Sequence, residues 1–275
     1  MGDGGSPVAR RRFGWGSRGL VALAIVAFGL WRYFSQTEVN PVTGEKQHIA
    51  MTADQEIALG IESAPEMAAQ MGGEVDPSDP AAQRVMQVGA KVVEGSAAKR
   101  SPYPYEFHLL RDPDTLNAFA LPGGQVFITY GLLAKLENEA QLAGVLGHEV
   151  GHVVNRHGAE HMATGQLGQM ITMAAGVAGS DDRGGGQRAA MIAAMVNQVV
   201  QLKYSRSDEL EADRVGMDYM TDAGYDPAAM LGVMRILAEA SQGGRQPEML
   251  STHPYPEQRI EEIQRYLAEH GRTAS

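Results

Sequence analysis

The sequence predicts an α+β fold, mostly helical, with a small β-sheet and one hydrophobic helix ahead of it. Three observations carry that expectation. Strand-like runs crowd into residues 105–131, nearly everything beyond about residue 134 follows a helical period, and an arginine-flanked apolar run stands near the N-terminus. With 275 residues, 44% hydrophobic and 20% charged, the chain has the composition of a folded protein with a substantial core.

The first element is RGLVALAIVAFGLWRYF. Its thirteen uncharged residues, Gly19–Trp31, fall short of the about 20 that a membrane span usually needs. Arg32 can snorkel, however, and Trp31, Tyr33 and Phe34 suit a membrane interface. No small-x-small cleavage site follows Phe34, so an uncleaved anchor is expected over a signal peptide. Residues 1–35, a basic segment and anchor, carry Arg10, Arg11, Arg12, Arg18 and Arg32 against Asp3, so the arginine-rich end would stay cytoplasmic and the rest would be exported. That remainder is strongly acidic, since the whole chain carries −10 despite its basic end. Nucleic acid is therefore not an expected partner.

Residues 36–80 read as a polar connection around one helix, DQEIALGIESAPEMAAQM, with Asp54 as its N-cap. Residues 81–273 form the main domain. It opens on AAQRVMQVGAKVVEGSAAK, where Val85, Val88, Val92 and Val93 recur at helical spacing. YEFHLL, TLNAFALPGG and QVFITYG follow as strands, and Pro122-Gly123-Gly124 joins the last two into a hairpin. Helices are expected over about 134–161, 188–204, 205–223, 227–242 and 256–269, with SDDRGGGQR (180–188) as a polar loop. Met162, Met170, Met173, Met191 and Met195 around that loop read as adaptable packing.

There is no cysteine, so any metal must be held by His, Asp or Glu. In GHEVGH, His148 and His152 are four apart and share one helical face, where they can grip one ion. Glu149 lies further round, able to reach a water on the metal without ligating it. That arrangement suits zinc, which lowers the pKa of its water to about 7 so that a carboxylate base can deliver it to a carbonyl carbon. The pattern also occurs on surface helices that hold no metal.

A third ligand must come from elsewhere. Metzincin spacing would place a glycine and a histidine where this chain has Asn155 and Gly158. In a continuing helix His157 points about 180° from His148, and His161 lies as far round from His152, so both are expected to face solvent or to support a ligand from behind, as bystanders to the metal rather than ligands. Downstream, YSRSDELEADRVGMDYM carries Glu209 and Asp213 four apart. A carboxylate there would complete a His₂Glu site, and Asp213 could hold a ligating histidine in its tautomer. Spacing alone does not choose Glu209 over Glu211, nor does it exclude an ordinary charged helix face.

HEVGH, followed 57 residues after its last histidine by the Glu209 of SRSDELEAD, closely resembles the HtpX-like and CaaX-prenyl-protease-like family of gluzincin metallopeptidases. The likeness continues through NPVTGEK, NAFALPGGQVFITYGLL, NEAQLAGVLGHEVGH and THPYPEQRI, covering nearly all of residues 40–265. It implies one zinc ion per chain, held by His148, His152 and Glu209, with Glu149 as the catalytic base and Asp213 nearby. It also implies His253 over the metal, stabilising an oxyanion or closing the open position at rest. Arg259 would lie in the same site, and Asn117 beside the substrate channel. The chain departs from relatives with several membrane spans or a tetratricopeptide array and looks like a compact, singly anchored branch, for which prenylated tails are not expected substrates.

The resulting expectation is a zinc endopeptidase of the cell envelope that hydrolyses misfolded or damaged proteins. Its partners would be unfolded or extended polypeptides, paired along the strand that begins at Asn117, and the membrane through the N-terminal helix. Its place would be the bacterial inner membrane, with a cytoplasmic N-terminus and a periplasmic catalytic domain, or the periplasm after signal cleavage. The competing expectation is an envelope chaperone or assembly factor with a structural or gated zinc and little proteolysis.

Overall fold

A computed structural model of the chain describes residues 15–49, 51–165, 170, 204–242, 247–254 and 256–272. The expected helix 188–204 lies outside them except for Tyr204, which is not helical, and the loop 180–188, Met173, Met191 and Met195 lie outside them as well. Helix α1 (Trp15–Ser35) is longer than the apolar run that predicts it, because arginine, serine and aromatic flanks join the helix. It leaves Leu20, Leu23, Phe28, Trp31 and Phe34 exposed. No helix among the described residues is long and apolar enough to cross a membrane, so the expected spanning anchor is not matched.

Residues 36–80 do more than connect. Strands β1 (Thr37–Val39) and β2 (Lys46–His48) pair as an antiparallel hairpin. Inside its turn the Asn40 side-chain Oδ1 accepts the N–H groups of Val42 and Thr43. Helix α2 (Ala53–Gln70) is capped by Thr52, not by Asp54: Thr52 and Gln55 close a capping box, and Asp54 sits in the first turn. Helix α3 (Pro80–Gly95) starts on an Asp79 cap with Pro80 in its first turn and buries Val85, Val88, Val92 and Val93.

The sheet comprises β3 (Glu106–Leu110), β4 (Ala118–Ala120) and β5 (Gln125–Thr129) in the order β3-β5-β4. β3 runs parallel to β5, and β4 returns antiparallel to it as the expected hairpin. In its turn Gly123 and Gly124 have φ of 84° and 103°, which only glycine adopts without strain. α2 lies directly on this turn, and a side chain on Gly60 would collide with the Pro122 carbonyl.

After the short α4 (Tyr130–Leu133) comes α5 (Glu139–Val154), capped by Asn138. The expected single helix over 134–161 is corrected at both ends. Between Leu133 and Glu139 the chain turns, and at Asn155–Arg156 the helix breaks before residues 157–165 resume it. Arg156 has φ of 56°, a left-handed conformation that costs a non-glycine residue about 1 kcal/mol or more unless its surroundings impose it. They do so here. The buried Arg156 guanidinium donates to Glu56, Glu38 and the Met51 carbonyl. Asn40 Nδ2 donates to the Val154 carbonyl at 2.6 Å, and Gln47 Nε2 to that of Asn155. The N-terminal hairpin thus satisfies carbonyls that the end of α5 would otherwise bury unpaired.

Helices α6 (Arg206–Asp222), α7 (Ala229–Gln242), α8 (Glu248–Thr252) and α9 (Pro256–Glu269) complete the described chain. Leu142, Leu146, Val150, Met217, Met220, Met230, Met234 and Leu237 form the centre of the core. α5 and α6 approach closely because glycines face each other. A Cβ on Gly147 would stand 3.0 Å from the Gly216 carbonyl, and one on Gly216 would stand 2.9 Å from His148 N. This backbone contact sets α6 against the histidines of α5.

Candidate active site

The N-terminal half of α6, started by the capping box of Ser205 and Asp208, brings Glu209 and Asp213 onto the face that meets α5. α5 contributes His148, Glu149 and His152, while His253 follows directly after α8 and Arg259 comes from α9. All are buried. One ligand atom from each of His148, His152, Glu209 and His253 lies within 4.8 Å of the others. His148 Nε2 is 3.1 Å from His152 Nε2 and 3.2 Å from His253 Nδ1. Glu209 Oε1 is 3.4 Å from His152 Nε2 and 3.0 Å from His253 Nδ1, and its Oε2 is 3.7 Å from His148 Nε2.

Behind this ring, His148 Nδ1 meets Asp213 Oδ1 at 2.8 Å. Arg259 grips Asp213 through Nε at 2.7 Å and Nη2 at 2.6 Å, and its Nη1 reaches Glu209 Oε2 at 2.9 Å. Glu149 stands apart. Neither of its oxygens has a hydrogen-bond partner, and His253 Nε2 is 3.6 Å from Oε1.

The charge balance of the site fits a bound dication. Glu149, Glu209 and Asp213 are fully buried, and Arg259 is their one permanent positive neighbour among the described residues. Buried carboxylates without countercharge are costly, and a dication would balance the remaining two charges. Burial would raise Glu209, yet the charges of His253 and Arg259 with bonds from His152 and His253 hold it well below the usual carboxylate range. Burial likewise opposes Asp213, but Arg259 and His148 keep it low. Burial pushes His152 well down, leaving a neutral imidazole suited to ligation, with Glu209 opposing. His253 goes the other way: burial would lower it, but Glu209 and Glu149 raise it. The donor set of two imidazoles and a carboxylate, with a third imidazole in the remaining corner, fits zinc.

The structure brings His148, Glu149, His152, Glu209, Asp213, His253 and Arg259 together. Asn117 stands further out, where it and His253 line a cleft of about 220 Å³ beside β4. Its Oδ1 is buried and unpaired, while its main chain pairs with Thr129. Arg259 faces Asp213 and Glu209 rather than this cleft.

Two further contacts support the ring from outside it. The break at Arg156 turns His157 back, so that its Nδ1 lies 2.8 Å from Nδ1 of His152 while Nε2 lies 3.4 Å from Glu211 Oε2. Glu211, which spacing could not separate from Glu209, thereby supports a histidine instead of joining the ring. His161 pairs with Asp208 at 2.7 Å, away from the ring. The second is Tyr204, stacked on His152 with ring centroids 3.9 Å apart. The signal for Tyr204 was its place just ahead of the Ser205 cap. For His157, no helical periodicity could have supplied one.

A model of peptidase family M48 matches residues 80–267. The mitochondrial metalloendopeptidase OMA1 of Schizosaccharomyces pombe is 33% identical over 261 residues, 94% of this chain and 73% of that protein. The beta-barrel assembly-enhancing protease of Yersinia pestis is 32% identical over 238 residues, 81% of this chain and 46% of that protein. The putative beta-barrel assembly-enhancing protease of Vibrio cholerae is 39% identical over 166 residues, covering 57% of this chain and 33% of its own length. The chain thus spans nearly three quarters of the yeast protein and less than half of these two bacterial ones.

Proposed function

We propose, for a chain that belongs to peptidase family M48 and is a zinc metalloendopeptidase, that it cleaves unfolded or damaged polypeptides in envelope protein quality control. The observation that carries the reading is the buried carboxylate of Glu149, unpaired beside the ring of His148, His152 and Glu209.

In this reading His148, His152 and Glu209 hold the zinc, which supplies a Lewis acid for the scissile carbonyl and makes a nearby water more acidic. Glu149 takes the proton of the attacking water and passes it to the departing amine, and its lack of a competing partner leaves both oxygens free for that task. Asp213 fixes the tautomer of His148 by accepting from Nδ1–H, which turns the Nε2 lone pair to the ring. Arg259 locks Asp213 and Glu209 in place. His253 fills the ring's remaining corner at rest and swings out when substrate enters, where it can donate to the developing oxyanion.

Residues 81–273 are the catalytic domain in this proposal, in keeping with a family match that begins at residue 80. The proposed membrane contact rests on the exposed apolar side chains of α1, with the N-terminus cytoplasmic and the catalytic domain in the periplasm. Hydrolysis of an unfolded protein by the purified full chain tests the proposal. It should require zinc and vanish in Glu149→Gln, and retained proteolysis in that variant contradicts the assignment. His253 inside the ring also favours a second reading, an assembly factor whose zinc site stays shut. In that case Glu149→Gln would complement a deletion as well as wild type does.

A further inference from the structure

The cleft that touches the ring has a floor the mechanism does not use. Met67 and Met71 from the end of α2 meet Phe119 and Leu121 from the β4 hairpin, with Asn117 and His253 at the inner wall. The volume of about 220 Å³ suits one large side chain rather than a folded element. Gln70 and Glu248, both exposed, stand at the rim.

Among the described residues, the partly exposed Ala120 backbone beside this cleft is placed to pair with an extended peptide. Asn117 O accepts from Thr129 N and Leu121 N donates to Gln125 O. In an antiparallel pair such bonds fall on alternate residues. Ala118 and Ala120 therefore turn their N–H and C=O groups away from β5; Ala118 is fully buried there, whereas Ala120 is partly exposed and lines the cleft. An extended peptide paired there passes His253 and Asn117 and drops an alternate side chain into the cleft. The unpaired Oδ1 of Asn117 would accept a peptide N–H from that strand.

We propose that this cleft, built by Met67, Met71, Phe119 and Leu121, is the specificity pocket and selects a large apolar residue (leucine, methionine or phenylalanine) next to the scissile bond. The proposal rests on the peptidase reading and adds its substrate class. Thioether walls adapt to several apolar shapes, so selection is by size and apolarity rather than by one residue. Glu248 at the rim disfavours an acidic side chain. Large apolar residues are mostly buried in folded proteins, so a pocket that demands one in extended backbone reads unfolding directly.

Fluorescent hexapeptides identical except for leucine, methionine, phenylalanine, alanine or aspartate at one position supply the test. Their binding to zinc-loaded Glu149→Gln full chain is measured alongside their cleavage by wild type. The large apolar peptides should bind and be cleaved at least about tenfold better than alanine, the scale one pocket can discriminate, with aspartate weakest. Met71→Trp should erase that preference by filling the pocket, and Met71→Ala should extend it to tryptophan. Equal affinities, no measurable binding, or a preference untouched by both Met71 variants overturns the pocket. Selective binding without any wild-type cleavage sinks the peptidase reading and keeps the pocket. Unselective cleavage does the reverse.

Discussion

Nδ1 of His148 lies 2.8 Å from Oδ1 of Asp213, and the same carboxylate is gripped by two nitrogens of Arg259. The imidazole is thereby held from behind, its Nε2 committed to the ring. Partners of this kind tune metal affinity by about 10–100-fold. Asp213→Ala should weaken zinc binding on that scale in a chelator competition, and wild-type affinity would show that the contact orients nothing.

His157 makes the corresponding contact to His152, with Glu211 behind it. His157→Phe keeps the ring's bulk while removing the bond. It should lower zinc affinity by about tenfold, and Glu211→Gln should produce a smaller loss. Full affinity in His157→Phe would return this histidine to the role of a packed bystander.

The approach of α5 to α6 depends on Gly147 and Gly216, where an added side chain meets backbone within about 3 Å. Backbone cannot yield as a flexible side chain can. Gly216→Val should cost about 1–3 kcal/mol from overpacking, read as a lower denaturation midpoint, together with weaker zinc binding. A stable variant with normal zinc affinity would mean that the two helices separate freely.

The N-terminal hairpin also supports the site through backbone. Asn40 and Gln47 donate to the carbonyls of Val154 and Asn155, just beyond His152. Asn40→Ala leaves a buried carbonyl with one donor fewer, at a cost of about 1–3 kcal/mol. A denaturation midpoint equal to wild type would show that the hairpin does not stabilise this end of α5.

Much of this was legible because local periodicity matches local structure. The helical run expected over 205–223 forms α6, the Pro122–Gly124 turn makes the hairpin, and His148 and His152 share one helical face. The resemblance, not the spacing, selected Glu209, because Glu209 and Glu211 differ only in which way α6 faces. The break at Arg156 was not legible. It is imposed by Glu38, Glu56, Asn40 and Gln47, roughly a hundred residues away in sequence. Once α5 ends there, the helical-wheel argument that dismissed His157 no longer applies to it. Thirteen apolar residues likewise stated the hydrophobicity of α1 but not what its exposed face meets.

The ligand set is tested most directly by elemental analysis of zinc in purified Glu209→Gln, set beside wild type and Glu211→Gln after dialysis against a weak chelator. Wild type should retain about one zinc per chain, Glu211→Gln most of it and Glu209→Gln almost none, as expected when one of three protein ligands is removed. Full zinc in Glu209→Gln would contradict the assignment of α6 as the source of the third ligand.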